Sequence, residues 1–222
     1  MDAEKLLELY HEHYKETNEL SKEAQKRRNK SFVILCVLEA ISFMLIYNPD
    51  LICGVLNETI KGRIESTVIF TNTVLQTLVW ILIAYVLVRY VQDMMYVERQ
   101  YPYLDSLEKK ITGMMGKDSI FNREGEHYLK DYPIVLNLID LFYKMFCPIL
   151  FGVINVAHII HEWQNNMSFL PLIIDSLICL AIVLITWFYY FEIHSKTTEW
   201  CKKHIPGVKW ISSKFHKILK EV

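Results

Sequence analysis

Four apolar blocks separated by charged stretches decide what this chain can become. They run from Ser31 to Tyr47, Thr67 to Val91, Ile139 to Ile160 and Phe169 to Ile193. A bilayer core about 30 Å thick takes about 20 mostly apolar residues in helical form, and each block is of spanning or near-spanning length. Each must be helical, because the bilayer holds no water to satisfy an open backbone. The blocks are too long for barrel strands and do not alternate with period two. Of 222 residues, 52% are hydrophobic and only 22% charged, and the charges gather at the two ends and in the middle. That distribution excludes an ordinary soluble domain and a disordered chain. A net charge of -1 gives no global field for nucleic acid, so none is expected as a direct partner. The expected fold class is all-α, a four-transmembrane-helix membrane protein with a helical cytosolic layer.

Orientation follows from Lys and Arg in the flanks. Residues 1–30 hold seven, the loop 48–66 two, residues 89–130 seven, the turn 161–168 none, and the tail after His194 seven. The alternation places both termini and the central segment in the cytosol, with loop 48–66 outside. About thirty polar residues precede the first block and no small-residue cleavage site follows it, so it does not read as a cleaved signal peptide. Of five cysteines, only Cys53 falls on the outer side, which leaves no disulfide framework within one chain.

Residues 1–30 read as a cytosolic helix with a heptad stripe at Leu6, Tyr10, His13, Thr17, Leu20 and Ala24, polar at two of six positions. Either it is a solvated lead-in to the first span, or it packs on the central segment or on another subunit. Residues 92–138 read as a helical hairpin. Pro102 ends or kinks the helix that leaves the second span, and a short second helix carries Leu104, Leu107 and Ile111 on one face up to Gly116. Its tyrosines supply a small core, and Tyr101, Tyr103, Arg123, Glu124 and Tyr128 are its candidate partner-docking residues. The tail, 194–222, alternates Trp, Ile and Phe with Lys, as an interfacial helix does.

Ionisable and amide side chains inside a span are costly, so they face protein or water. Depth alone sorts them into two groups. An outer group holds Asn72, Gln76, Asn155, His158 and Asp175. An inner group holds Glu39, Asp140, Lys144 and Arg89, with Asp140 and Lys144 four apart and able to pair. Interhelical hydrogen bonding explains the amides. For Glu39 and Asp175, pairing within the bundle and a water-filled path both fit.

Enzyme chemistry has little to stand on. HIIHE at 158–162 spaces its histidines by three, where a zinc-protease helix needs HExxH. There is no CxxC, GxSxG, Walker loop or GxGxxG. No catalytic residue, metal or cofactor is expected.

The polar lead-in AQKRRNKSF, the tyrosine-rich ERQYPYLDSLEKKI and the segment FNREGEHYLKDYP give the chain a layout that resembles small multi-pass inner-membrane proteins of bacterial phage-defence operons. That resemblance implies a multi-pass bacterial inner-membrane protein that permeabilises the membrane or senses and holds a soluble cytosolic operon partner. The expected function is a homo-oligomeric membrane sensor or pore-type effector gated by its cytosolic layer. The alternative is a non-conducting scaffold that recruits a soluble protein to the lipid bilayer.

Overall fold

The structure is a computed structural model that describes residues 3–61, 71–115, 134–164 and 169–193. Among these residues all the regular structure is helical. α1 is Ala3–Tyr47, α2 Pro49–Lys61, α3 Asn72–Met115, α4 Ile134–Leu141, α5 Cys147–Gln164 and α6 Phe169–Ile193. A π-helical turn, Phe142–Phe146, joins α4 to α5. Four stretches are long and apolar enough to cross a membrane, which suggests a membrane location: Glu4–Tyr47, Asn72–Met115, Phe142–Gln164 and Phe169–Tyr190. The third begins and ends a few residues later than the sequence suggests, and part of loop 48–66 is the helix α2.

The frame is a pair of long antiparallel helices. α1 has 45 residues and α3 has 44. At about 1.5 Å per residue each is on the order of 65 Å long, roughly twice a bilayer core. Tyr14 meets Glu108 near one end, and Arg27 meets Asp93 further along. The buried residues of α3 follow steps of four and three: Gln76, Trp80, Ile83, Leu87, Tyr90, Met94, Val97, then Leu104, Glu108 and Ile111. Those of α1 do the same at Tyr14, Thr17, Ser21, Ala24, then Leu35, Leu38, Ser42 and Leu45. A seam of period 3.5 keeps facing its partner along two long helices. It runs from the polar half, here called the stalk, into the apolar half, the bundle.

Two sequence expectations change here. The stalk face of α1 is centred on Tyr14, Thr17, Ser21 and Ala24, while His13 and Leu20 of the expected stripe are exposed. Small residues can form this face because they lie opposite the bulkier Val97 to Leu104 stretch of α3. Thr17 and Ala24 of the expected stripe belong to this face, and Tyr14 and Ser21 stand in it in place of the expected His13 and Leu20. The stalk helix also packs on α3, as one of the two readings holds, and continues unbroken into the first span.

Pro102 does not end α3, and the expected second helix is the continuation of the same one. Proline inside a helix costs about 3 kcal/mol. Against that stand Met94 and Val97 before it and Leu104, Leu107 and Ile111 after it, all buried against α1 or within the same seam. Each such side chain contributes about 1.5–3 kcal/mol on full burial, so the seam wins. Pro102 itself is exposed and removes no seam contact. The end of the expected hairpin, including Gly116, lies outside the described residues, as does the tail 194–222.

In the bundle, α1 packs on α3, α3 on α6, α6 on α5 and α5 back on α1, closing a ring of four. Its core includes Leu35, Leu45, Trp80, Ile83, Leu87, Phe151 and Ile182. The outward faces stay apolar at Val37 and Phe43 of α1, Ile81 and Tyr85 of α3, Val153 of α5, and Leu177 and Leu180 of α6. Such a surface suits lipid and would be a liability in water.

Candidate functional site

The distal half of the bundle, away from the stalk, contains a buried polar cluster to which all four helices contribute. Within each helix the contributing residues lie three or four apart, so that they share one helical face, with Thr77 alone stepping aside from Gln76 toward α6. α1 supplies Glu39 and Ser42, and α3 supplies Gln76, Thr77 and Trp80. α5 supplies Asn155, His158 and Glu162, and α6 supplies Asp175 and Cys179. Apart from partly buried Thr77, all of these are buried.

His158 is the centre. Its Nδ1 lies 2.5 Å from the Ser42 hydroxyl. Its Nε2 lies 2.9 Å from the Gln76 amide nitrogen and 3.1 Å from Glu162 Oε1. The Trp80 ring stacks on the imidazole, centroids 5.0 Å apart, and its indole N–H donates to Glu162 Oε1 at 2.8 Å. One turn nearer the stalk, Asn155 donates to Glu39 Oε1 at 2.6 Å and to the Phe151 carbonyl at 2.7 Å. The Cys179 thiol reaches the Asn155 carbonyl at 3.7 Å. Beside them the Thr77 hydroxyl donates to Asp175 Oδ2 at 3.1 Å. Hydrogen bonds between buried partners fix which helix faces which, since any rotation strands a polar group.

Of the residues singled out from sequence, the structure brings together Gln76, Asn155, His158 and Asp175. Asn72, the first residue of α3, is partly buried and its Oδ1 has no partner. Glu39 belongs with this group and not with an inner one, because it bonds Asn155. Distance from the expected span start misplaced it: Glu39 is the middle residue of its apolar block, and Asn155 lies near the middle of α5. Lys144 pairs with Glu98 of α3 at 2.6 Å. The side chain of Asp140, on α4, lies outside the described residues. Arg89 is exposed and reaches Gln92. Ser42, Trp80 and Glu162 were missed. The signal for Glu162 was present: 155, 158 and 162 share one face of α5.

A second, proximal layer sits where bundle meets stalk. Cys147 N–H bonds the Phe142 carbonyl, five residues back. Pro148 next to it has no N–H, so the Tyr143 carbonyl has no helical donor left. Tyr90 supplies one, its hydroxyl 2.9 Å away. The Tyr190 hydroxyl likewise donates to the Met145 carbonyl. Around this turn are the Lys144–Glu98 and Arg27–Asp93 pairs, the latter at 3.1 Å, and the Arg28 guanidinium 5.8 Å from the Tyr143 ring centre.

In the stalk, Tyr14 donates to Glu108 at 2.8 Å within a cluster of Leu104, Leu107 and Ile111. Tyr101 and Tyr103 are exposed on its surface, and Tyr103 meets His13 edge to face. Arg123, Glu124 and Tyr128 lie outside the described residues. No group of three or more His, Cys, Asp or Glu suited to a metal ion occurs among the described residues. No protein-family model, curated protein or solved structure matches the chain.

Proposed function

We propose that the chain is a membrane sensor and signal transducer in which the distal polar cluster sets the packing of α1 and α3, and the stalk presents that packing to a soluble cytosolic partner. The observation that carries this reading is continuity. α1 and α3 each run without interruption from the cluster to the Tyr14–Glu108 contact. A rotation or slide of either helix at Ser42 or Gln76 must therefore reach the stalk, because a helix transmits such motion rigidly and a packed seam has few alternative registers. The Lys and Arg distribution supports a cytosolic stalk. In this reading the protein acts as a homo-oligomer in a bacterial inner membrane, in the anti-phage setting its layout resembles.

The sensor reading is preferred to a pore because the buried acids face the interior of a single bundle. The outward faces available to line a channel between subunits are apolar. The experiment places spin labels at positions 8 and 114, both exposed on the stalk, in the full chain in nanodiscs. Gln76→Leu should shift the distribution of label distances. An unchanged distribution in both Gln76→Leu and Glu39→Leu would overturn the reading. Ion flux through liposomes that depends on Glu39 would replace it with the pore effector.

A further inference from the structure

We propose that the distal cluster is a proton-binding site, with protons as the ligand that completes its hydrogen bonding. This stands on the cluster alone and does not depend on the stalk. Five of its atoms have no hydrogen-bond partner: Glu39 Oε2, Gln76 Oε1, Asn155 Oδ1, Glu162 Oε2 and Asp175 Oδ1. Their residues are 6%, 3%, 1%, 1% and 0% exposed. All five are oxygens. What the site lacks is donors, and a buried acceptor left open costs about 1–3 kcal/mol.

The charges point the same way. Around the cluster, α1 offers Glu39, α5 offers His158, His161 and Glu162, α6 offers Asp175 and the Cys179 thiol, and α3 offers no titratable group between Gln76 and Ile83. No Lys or Arg occurs in residues 31–60, 71–88 or 145–193. Three carboxylates and one imidazole thus share an apolar interior without a fixed cation, a state that interior cannot hold.

Protons resolve both problems at once. A proton on Glu39 Oε2 turns one open acceptor into a donor, and Asn155 Oδ1 is the open acceptor on the amide already bonded to Glu39. Acid and amide then pair reciprocally through two hydrogen bonds. Glu162 Oε1 and His158 Nε2 face the Trp80 and Gln76 N–H groups as acceptors and lie 3.1 Å apart, so without a proton they repel. One proton sits between them, on the acid as the Gln76 amide stands, or on the ring if that amide turns to present its open Oε1. A third on Asp175 brings the cluster to zero net charge. The groups that gain and lose these protons are the carboxyl oxygens and His158 Nε2, and the protons come from bulk water.

The test is infrared spectroscopy of the full chain in nanodiscs at neutral pH, reading the carbonyl stretch of protonated carboxyl groups in ordinary and heavy water. The expected result is an isotope-sensitive acid band. It should lose intensity in Glu39→Gln and again in Asp175→Asn. Both substitutions keep shape and hydrogen-bond capacity, and circular dichroism checks the fold. Should either variant fail to fold, ring-nitrogen chemical shifts of 15N-labelled His158 in the wild type give a second measure. They should report a proton shared with Glu162. Absence of the acid band from the wild type overturns the proposal. So does saturable sodium binding that is lost in Glu39→Gln, which would assign the open oxygens to a metal cation.

Discussion

The stalk and the bundle share one seam and fill it differently. In the stalk the seam is Thr17, Ser21 and Ala24 against Val97 and Leu104, with the buried Tyr14–Glu108 hydrogen bond near its end. In the bundle the same two helices carry Glu39, Ser42, Gln76 and Trp80 into a polar cluster completed by α5 and α6. Among the described residues the stalk face of α1 packs on α3, and apolar burial holds it together. In a membrane, lipid would offer no such drive between bundle helices, because its tails are as apolar as their side chains. Hydrogen bonds, which have no competitor in lipid, then decide which helix faces which. The comparison teaches that one heptad repeat can be read by two different solvents.

Breaking the cluster should give the largest effect. His158→Ala strands Ser42, Gln76 and Glu162 and removes the stack on Trp80. A loss of about 3–5 kcal/mol is expected, as when one member of a buried polar set is removed. Unfolding in detergent micelles, followed by tryptophan fluorescence, measures it. Breaking the stalk comes next. Leu104→Ala should cost about 2–4 kcal/mol of local stability. Hydrogen exchange should rise in residues 3–24 and 100–115 and stay unchanged around Trp80. If the bundle loosens equally, stalk and bundle are one cooperative unit.

Smaller changes sharpen the contrast. Tyr14→Phe keeps the ring in its apolar cluster and removes only the hydroxyl, so about 1 kcal/mol is expected, read by the same exchange measurement. The charged pairs at the junction should matter least. Arg27, more than half exposed, pairs with Asp93 near water, and Arg27→Gln should change thermal stability by less than about 1 kcal/mol, with the difference shrinking further in high salt. A large effect there would move the structural weight from the cluster to the junction.

Much of the fold was legible. The apolar runs carried the four spans, and Phe169 to Ile193 matches α6 residue for residue, because a run this long with Asp175 as its one interior charge is apolar enough to have one use. The stalk seam was less legible. Ser21 looks like a surface residue until a bulky partner face is supplied, whereas Thr17 and Ala24 already lay on the expected stripe. Pro102 read as a break because a local rule describes the cost to one helix and not the gain from its neighbour. The cluster was half legible: Gln76, Asn155, His158 and Asp175 stood out as polar residues in apolar surroundings, whereas Ser42 and Trp80 are ordinary in such a helix and gain their roles from His158.

The sequence by itself determined that the chain is helical, that it has four apolar stretches of spanning length, and which polar groups those stretches must accommodate. These follow from composition along one strand of chain, where backbone hydrogen bonding and transfer from water act residue by residue. Only the tertiary structure decided that Glu39 meets Asn155, that His158 gathers Ser42, Gln76 and Glu162, and that α3 continues past Pro102. Those outcomes depend on rotation and stagger between helices distant in sequence. They are set by the pairing of buried groups across helices, which no single segment contains.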